Sequence, residues 1–183
     1  MTAREEERFG GLKIGSALFG FMTAAGIAVL LLALLSAAGV VLSLTSHTTT
    51  TNLANQAAAG TAKTIGLVGA ILLLVVLFVA YYCGGYVAGR MARFNGTKQG
   101  LAVWLWSILF AVVIAILAKV AGSKYNILTN LNLPRIPVGE GTVTTAGIIA
   151  IIAVILVSLG AALLGGKAGM HFHRKVDKAA LVV

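Results

Sequence analysis

Four long apolar stretches follow one another along the chain, separated by short segments that hold most of its polar residues. A helix that rises 1.5 Å per residue needs about 20 apolar residues to cross a bilayer. The pattern therefore predicts four transmembrane helices, at residues 14–44, 64–89, 101–121 and 143–166. The first stretch is longer than the roughly 7 to 15 apolar residues of a signal peptide, so we expect it to be retained as a span.

The segments between the spans differ in their basic residues. The N-terminal segment (1–13), an inner loop (90–100) and a C-terminal tail (167–183) hold ten of the fourteen Lys and Arg. The outer side, with loops at 45–63 and 122–142, has the other four. Because cytoplasmic segments are enriched in Lys and Arg, this distribution predicts that both termini are cytoplasmic.

The composition supports a membrane location. Hydrophobic residues make up 59% of the chain and charged residues 10%, whereas soluble domains have about 25% charged residues. Mean hydropathy is +0.99. The net charge of +9 does not predict a nucleic-acid partner, because the basic residues lie at the ends of spans rather than along a soluble face. We expect the bilayer and its anionic lipids to be the partners of these charges.

An eight-residue pattern occurs twice. RFGGLKIG at 8–15 and RFNGTKQG at 93–100 share the form R-F-x-G-x-K-x-G, 85 residues apart, and each precedes an odd-numbered span. The ends of the even-numbered spans, GYVAG at 85–89 and GGKAG at 165–169, share a weaker G-x-x-A-G pattern. The repeats predict an all-α membrane protein built as two helical hairpins, related by a pseudo-two-fold axis along the membrane normal.

Small residues recur four positions apart in three of the spans, which places them on one face of each helix. Lipid is as apolar as leucine, so helices associate in a bilayer through close backbone approach, which small residues permit. We expect these faces to form the helix-packing contacts. They consist of Ser16, Gly20, Ala24 and Ala28 in the first span, Gly85 and Gly89 in the second, and Ala161, Gly165 and Gly169 in the fourth.

Basic residues lie next to the small-residue faces in the sequence, in the segments predicted to be cytoplasmic. Each contributes about 1 kcal/mol of attraction to an anionic membrane surface. We expect contacts with lipid headgroups from Arg8, Lys13, Arg90, Arg93, Lys98, Lys167, Arg174 and Lys175. A specific phosphate-lipid or nucleotide site remains an alternative for five of these residues, namely Arg8, Lys13, Arg90, Arg93 and Lys98.

The spans lack the residues that catalysis or proton transport commonly requires. All five acidic residues lie outside the predicted spans, and the sequence contains no HExxH and no GK[ST] phosphate loop. Cys83 is the only cysteine, and His171 and His173 point to different faces if they lie on a helix. We therefore expect no enzymatic activity, no catalytic residue, no cofactor and no metal site.

The segment GGYVAGRMARFNGTKQG, residues 84–100, resembles a group of small, uncharacterised bacterial membrane proteins with a GGxxAGR-type motif. Outside this segment the similarity is one of hydropathy only. The resemblance implies four membrane-spanning helices and a location in the bacterial inner membrane. It implies no functional residue.

Three functions fit these observations. The first is a non-enzymatic multi-pass protein that acts through helix packing as an accessory, scaffold or assembly factor, with a membrane-protein partner. The second is a small pore or transporter formed as a homo-oligomer. The third is a protein that binds anionic lipids. The lack of ionisable groups inside the spans favours the first over the second.

The glycine faces generate a direct prediction. Replacing Gly89→Leu should separate the second span from its neighbour, because a leucine prevents close backbone approach. We expect a lower expression level or a lower thermal stability of the purified protein. Unchanged stability of the variant would count against a packing role for Gly89.

Overall fold

A computed structural model of the protein describes residues 11–45, 62–92, 94–125 and 145–171. Every regular element in these ranges is an α-helix: α1 (Ile14–Thr45), α2 (Ala62–Met91), α3 (Gly96–Tyr125) and α4 (Thr145–Gly169). Each helix contains a segment long and apolar enough to cross a membrane. The prediction of an all-α protein with four such helices is therefore confirmed.

The helix ends at the α2–α3 connection differ from the predicted inner loop at 90–100. Helix α2 continues to Met91 and α3 begins at Gly96, so only four residues separate them. Asn95 has a φ of 60°, a left-handed conformation that asparagine tolerates better than most residues. Its carbonyl oxygen accepts the hydrogen bond of the Gln99 amide at 3.1 Å, which starts α3. Residues 96–100 of the second repeat motif therefore form the first turn of α3 rather than part of a loop.

Helix α2 is the central element of the bundle. It contacts all three other helices, and its most extensive contact is with α4, followed by α1. Helix α3 packs against α4 and, less extensively, against α2 and α1. Among the described residues, α1 and α4 make at most marginal contact with each other. The bundle therefore depends on α2 and α3 to connect its two remaining helices.

Among the residues whose burial the structure describes, the buried ones lie at one end of the bundle. We call this end the basic end, because Lys13, Arg90, Lys98 and Lys167 lie there. The buried residues are mostly Gly and Ala, and we refer to them as the packed layer. The packed layer comprises Ser16, Ala17, Gly20, Ala24, Ala80, Gly84, Gly85, Ala88, Gly89, Ala92, Gly96, Gln99, Gly100, Val103, Ser158, Ala161, Ala162, Gly165, Gly166 and Gly169.

Beyond the packed layer the helices separate from one another. Consecutive residues are exposed at 32–38 of α1, 67–73 of α2, 111–117 of α3 and 148–152 of α4. Since a helix makes a full turn in 3.6 residues, such runs mean that each helix is exposed on all of its sides. We call these four runs the separated segments. In a bilayer their surfaces contact either lipid or another protein.

Two glycines of α4 provide a matched test of the packed layer. A Cβ atom on Gly165 would meet the backbone of Tyr82 and lie 2.9 Å from the amide nitrogen of Tyr86, whereas one on Gly160 would meet nothing within 4 Å. We expect Gly165→Ala to lower the free energy of unfolding by about 1–3 kcal/mol, because backbone atoms must move apart. Gly160→Ala should leave stability unchanged or raise it, since alanine favours a helix by about 1 kcal/mol over glycine.

Thermal unfolding of both variants in the same detergent measures this difference. Equal changes in Tm for the two variants would contradict the close contact between α2 and α4.

Candidate functional site

The contact between α2 and α4 is reciprocal. A Cβ on Gly85 would meet the carbonyl oxygen of Ala162, the residue three positions before Gly165. A Cβ on Gly165 would meet the carbonyl oxygen of Tyr82, the residue three positions before Gly85. Each glycine thus faces a carbonyl oxygen of the opposite helix, a geometry suited to weak Cα–H···O bonds. The contacts are thus equivalent in both directions across α2 and α4.

The same relation holds one turn further along both helices. A Cβ on Gly89 would meet the carbonyl oxygen of Gly166, and a Cβ on Gly169 would meet that of Tyr86. The two G-x-x-A-G segments therefore pack against each other in equivalent positions. Neither helix tolerates a side chain at these glycines without a displacement of the other.

Helix α3 approaches the same two carbonyl oxygens of α4 from another side. A Cβ on Gly100 would meet the carbonyl oxygen of Ala162, and one on Gly96 would meet that of Gly166. Each of these two oxygens therefore lies beside one glycine of α2 and one of α3. These contacts hold α4 against both α2 and α3, close to the ends at which these two helices are connected.

Helix α1 joins the bundle through a separate contact with α2. A Cβ on Gly20 would lie 2.6 Å from the carbonyl oxygen of Gly84, and one on Gly84 would lie 2.7 Å from the Cβ of Ala24. Val103 of α3 also packs here, because its Cγ2 would lie 2.7 Å from a Cβ on Gly20. Small residues again allow the helices to come together.

The predicted packing residues occupy these contacts in the following way. Ser16, Gly20, Ala24, Gly85, Gly89, Ala161, Gly165 and Gly169 are buried, and Ala28 is half-buried. Ala28 lies at the edge of the packed layer, where α1 begins to separate from its neighbours. Sequence reasoning did not include Gly84, Gly96, Gly100 and Gly166, which make equally close contacts.

Gln99 connects the beginnings of α1 and α3. Its side chain is fully buried, with 0% exposure. Its Nε2 donates to the carbonyl oxygen of Gly11 at 3.0 Å, and its Oε1 lies 3.0 Å from the Oγ of Ser16. Ser16 Oγ also lies 2.9 Å from the carbonyl oxygen of Lys13, and its single proton is donated to one of these two acceptors at a time. The hydrogen bonds bring the two repeat motifs into contact.

Gln99 was not identified from the sequence, because the predicted third span begins at residue 101 and leaves Gln99 in the inner loop. With α3 beginning at Gly96, Gln99 is the only Asn or Gln in the four membrane-spanning segments. An amide inside an apolar span is costly unless it is hydrogen-bonded, so its presence indicates a partner on another element.

A further side-chain hydrogen bond joins α3 to α4. Trp104 Nε1 donates to Ser158 Oγ at 3.1 Å, and Ser158 Oγ lies 2.7 Å from the carbonyl oxygen of Val154. Thr23 and Ser107 instead donate to carbonyl oxygens of their own helices, as expected for hydroxyl groups within spans. In the part of the chain that the structure describes, no buried side-chain nitrogen or oxygen lacks a hydrogen-bond partner.

The predicted headgroup-binding residues lie around the basic end. Lys13 precedes α1, Arg90 lies in the last turn of α2, Lys98 in the first turn of α3 and Lys167 in the last turn of α4. The three lysines are exposed and Arg90 is half-buried. The other four predicted residues, Arg8, Arg93, Arg174 and Lys175, lie outside the described residues. Among the residues described, no group of three or more His, Cys, Asp or Glu side chains is placed to hold a metal ion.

Comparison with protein-family models, with curated proteins and with solved structures finds no match to this chain. The resemblance of residues 84–100 to small bacterial membrane proteins therefore stays an expectation.

The Gln99 hydrogen bonds lead to a test by double substitution. We expect Gln99→Leu to lower the free energy of unfolding by about 1–3 kcal/mol, because Ser16 and the Gly11 carbonyl lose their buried partner. Ser16→Ala should destabilise the protein as well. The double variant should be less destabilised than the sum of the two, since both substitutions remove the same hydrogen bond.

Unfolding titrations of the three variants measure this coupling, with Thr97→Val as the control at an exposed position of the same helical turn. Strictly additive effects, or an equal loss in the control, would contradict the assigned hydrogen bonds.

Proposed function

We propose that the protein is a non-enzymatic, multi-pass protein of the bacterial inner membrane that binds membrane-spanning helices of a partner, as an accessory, scaffold or assembly factor. In this proposal both termini are cytoplasmic, as the distribution of Lys and Arg predicts. The packed layer holds the four helices together at the cytoplasmic side. The separated segments provide the contact surface in the outer half of the bilayer.

The observation that carries the proposal is the exposure of each separated segment on all sides. Leu34 of α1, Ile114 of α3 and Ile149 of α4 are 67%, 61% and 61% exposed, although the bundle holds their helices together at the other end. Surfaces that face one another across the bundle are therefore left without a protein contact. A partner helix between them would cover such surfaces.

Two open glycines support the same proposal. Gly26 of α1 and Gly69 of α2 take no part in the contacts of the packed layer, and a Cβ on either would meet nothing within 4 Å. Glycine costs a helix about 1 kcal/mol relative to alanine, and in membranes glycines mark places where another backbone approaches closely. Since these two meet no backbone within the chain, an approach from another chain accounts for them.

The packed layer favours this function over a pore through a single chain. Glycines lie directly against carbonyl oxygens, and the fully buried side chains of Val103 and Gln99 occupy the space between the helices. A homo-oligomeric pore would need its path between copies of the chain. The described residues contain no Asp or Glu that would serve such a path as a cation or proton site.

We further propose that the chain arose from a duplicated helical hairpin. The reciprocal contact of Gly85 and Gly89 with Gly165 and Gly169 supports a parallel two-fold relation of α2 and α4. The hairpins have since diverged. The spacing of the two R-F-x-G-x-K-x-G motifs places Leu105 at the position of Gly20, and the spacing of the two G-x-x-A-G segments places Leu164 at the position of Gly84. Both leucines are exposed, so the close contact of Gly20 with Gly84 has no counterpart between α3 and α4.

Site-specific photo-cross-linking in native membranes tests the proposed function. A photoreactive residue replaces Leu34 or Ile114 in the separated segments, and Phe19 serves as the control. Phe19 is 60% exposed, as these two are, but lies on α1 beside the packed layer. We expect a discrete adduct with a different membrane protein from the first two positions and not from Phe19.

Adducts between copies of this chain would favour the homo-oligomer instead. The absence of any protein adduct at Leu34 and Ile114 would overturn the proposed function, because lipid alone would then cover the separated segments.

A further inference from the structure

An open groove lies on the surface between α2 and α4 near the basic end. Its volume is ≈ 540 Å³, within the range of about 300–1,000 Å³ that is common for ligand sites. Tyr82 of α2 forms one wall, and Leu164, Lys167, Ala168 and His171 form the other. The proposed partner contact uses none of these residues.

The spacing of the α4 residues explains the shape of the groove. Leu164, Lys167 and Ala168 follow one another at intervals that place them on one face of α4, and His171 lies two residues beyond the end of this helix. Gly165, on the adjoining face, lies against the backbone of Tyr82 and holds the two helices together. Since Ala168 has a small side chain, the space between Lys167, His171 and the Tyr82 ring stays open.

The groove is apolar at one end and basic at the other. Leu164 is 53% exposed, and Tyr82 stacks on Phe78 with ring centroids 6.1 Å apart, which extends the apolar wall along α2 away from the basic end. Lys167, in the last turn of α4, and His171, just beyond this helix, lie towards the basic end. A molecule with a polar head and an apolar tail fits this arrangement.

The basic residues around the groove determine which charge the polar head of such a molecule carries. Lys13, Arg90, Lys98 and Lys167 lie at the same end of the bundle, and the residues that the structure describes contain no carboxylate side chain. A lysine and a histidine attract and donate hydrogen bonds to phosphate oxygens. The head is therefore anionic.

We propose that this groove binds one anionic phospholipid. Its phosphate lies against Lys167 and His171, and one acyl chain runs along Leu164, Tyr82 and Phe78. The tail distinguishes this ligand from free phosphate, because an acyl chain makes dispersion contacts along the apolar walls and free phosphate does not. The groove thus selects a lipid by the charge of its headgroup.

Native mass spectrometry of the full chain with phosphatidylglycerol and phosphatidylcholine tests the proposal. We expect the wild-type protein to retain one phosphatidylglycerol molecule in preference to phosphatidylcholine. Lys167→Gln should weaken this retention by about fivefold, the effect of one basic residue at an anionic surface. Lys98→Gln makes the same change of charge at the same end but outside the groove, and should change retention by less than about twofold.

A second variant tests the groove without a change of charge. Ala168→Trp fills the space between the two walls, and we expect it to abolish retention of the lipid while Tm stays that of the wild type. Inorganic phosphate should not displace the lipid at equal concentration, since it lacks the acyl chain.

Four results would overturn the proposal. The first is an equal loss of lipid retention in Lys167→Gln and Lys98→Gln, and the second is equal retention of the two lipids by the wild-type protein. The third is unchanged lipid retention in a folded Ala168→Trp variant, and the fourth is displacement of the lipid by inorganic phosphate. A dimer that is lost in Lys167→Gln would assign the groove to a second copy of the chain instead.

Discussion

Two backbone carbonyl oxygens of α4, those of Ala162 and Gly166, are the contact on which the bundle depends. In lipid the burial of apolar side chains does not draw helices together, so stability comes from dispersion at close approach and from weak Cα–H···O bonds. Glycines of α2 and of α3 reach both oxygens. One turn of α4 therefore positions two other helices, and a single added methyl group at this turn forces backbones rather than side chains to move.

The separation of the helices follows from the same constraint. Close contact extends only as far as small residues face one another, and on α1 the series of small residues ends at Ala28. The next residues, VLLL at 29–32, are too large for a neighbouring backbone to approach in the same way. The helices diverge from this level towards the opposite end. On α1 the end of this series of small residues therefore coincides with the edge of the packed layer.

Hydropathy alone predicted the four helices, because a long apolar run has few alternatives to a membrane span. The GxxxG spacing also indicated which parts of α2 and α4 pack closely. The sequence could not show which faces meet, since apolar residues surround each helix and give no direction of burial. Gly96 and Gly100 were assigned to an inner loop because polar and basic residues surround them in the sequence. Gln99 was missed because it fell in the same predicted loop and its partners, a carbonyl oxygen and a serine, lie far away in the sequence.

The repeat motifs contribute differently to the two hairpins. In the second motif Gly96 and Gly100 pack on α4, whereas a Cβ on Gly11 or Gly15 of the first would meet nothing within 4 Å. The carbonyl oxygen of Gly11 instead accepts a hydrogen bond from Gln99. Helix α1 is therefore held by its contact with α2 and by side-chain contacts with α3, and it has almost no contact with α4. The side of the bundle between α1 and α4 consequently presents two helices that the packed layer does not join to each other. In the proposed function a partner helix enters on this side, because it breaks no glycine contact there.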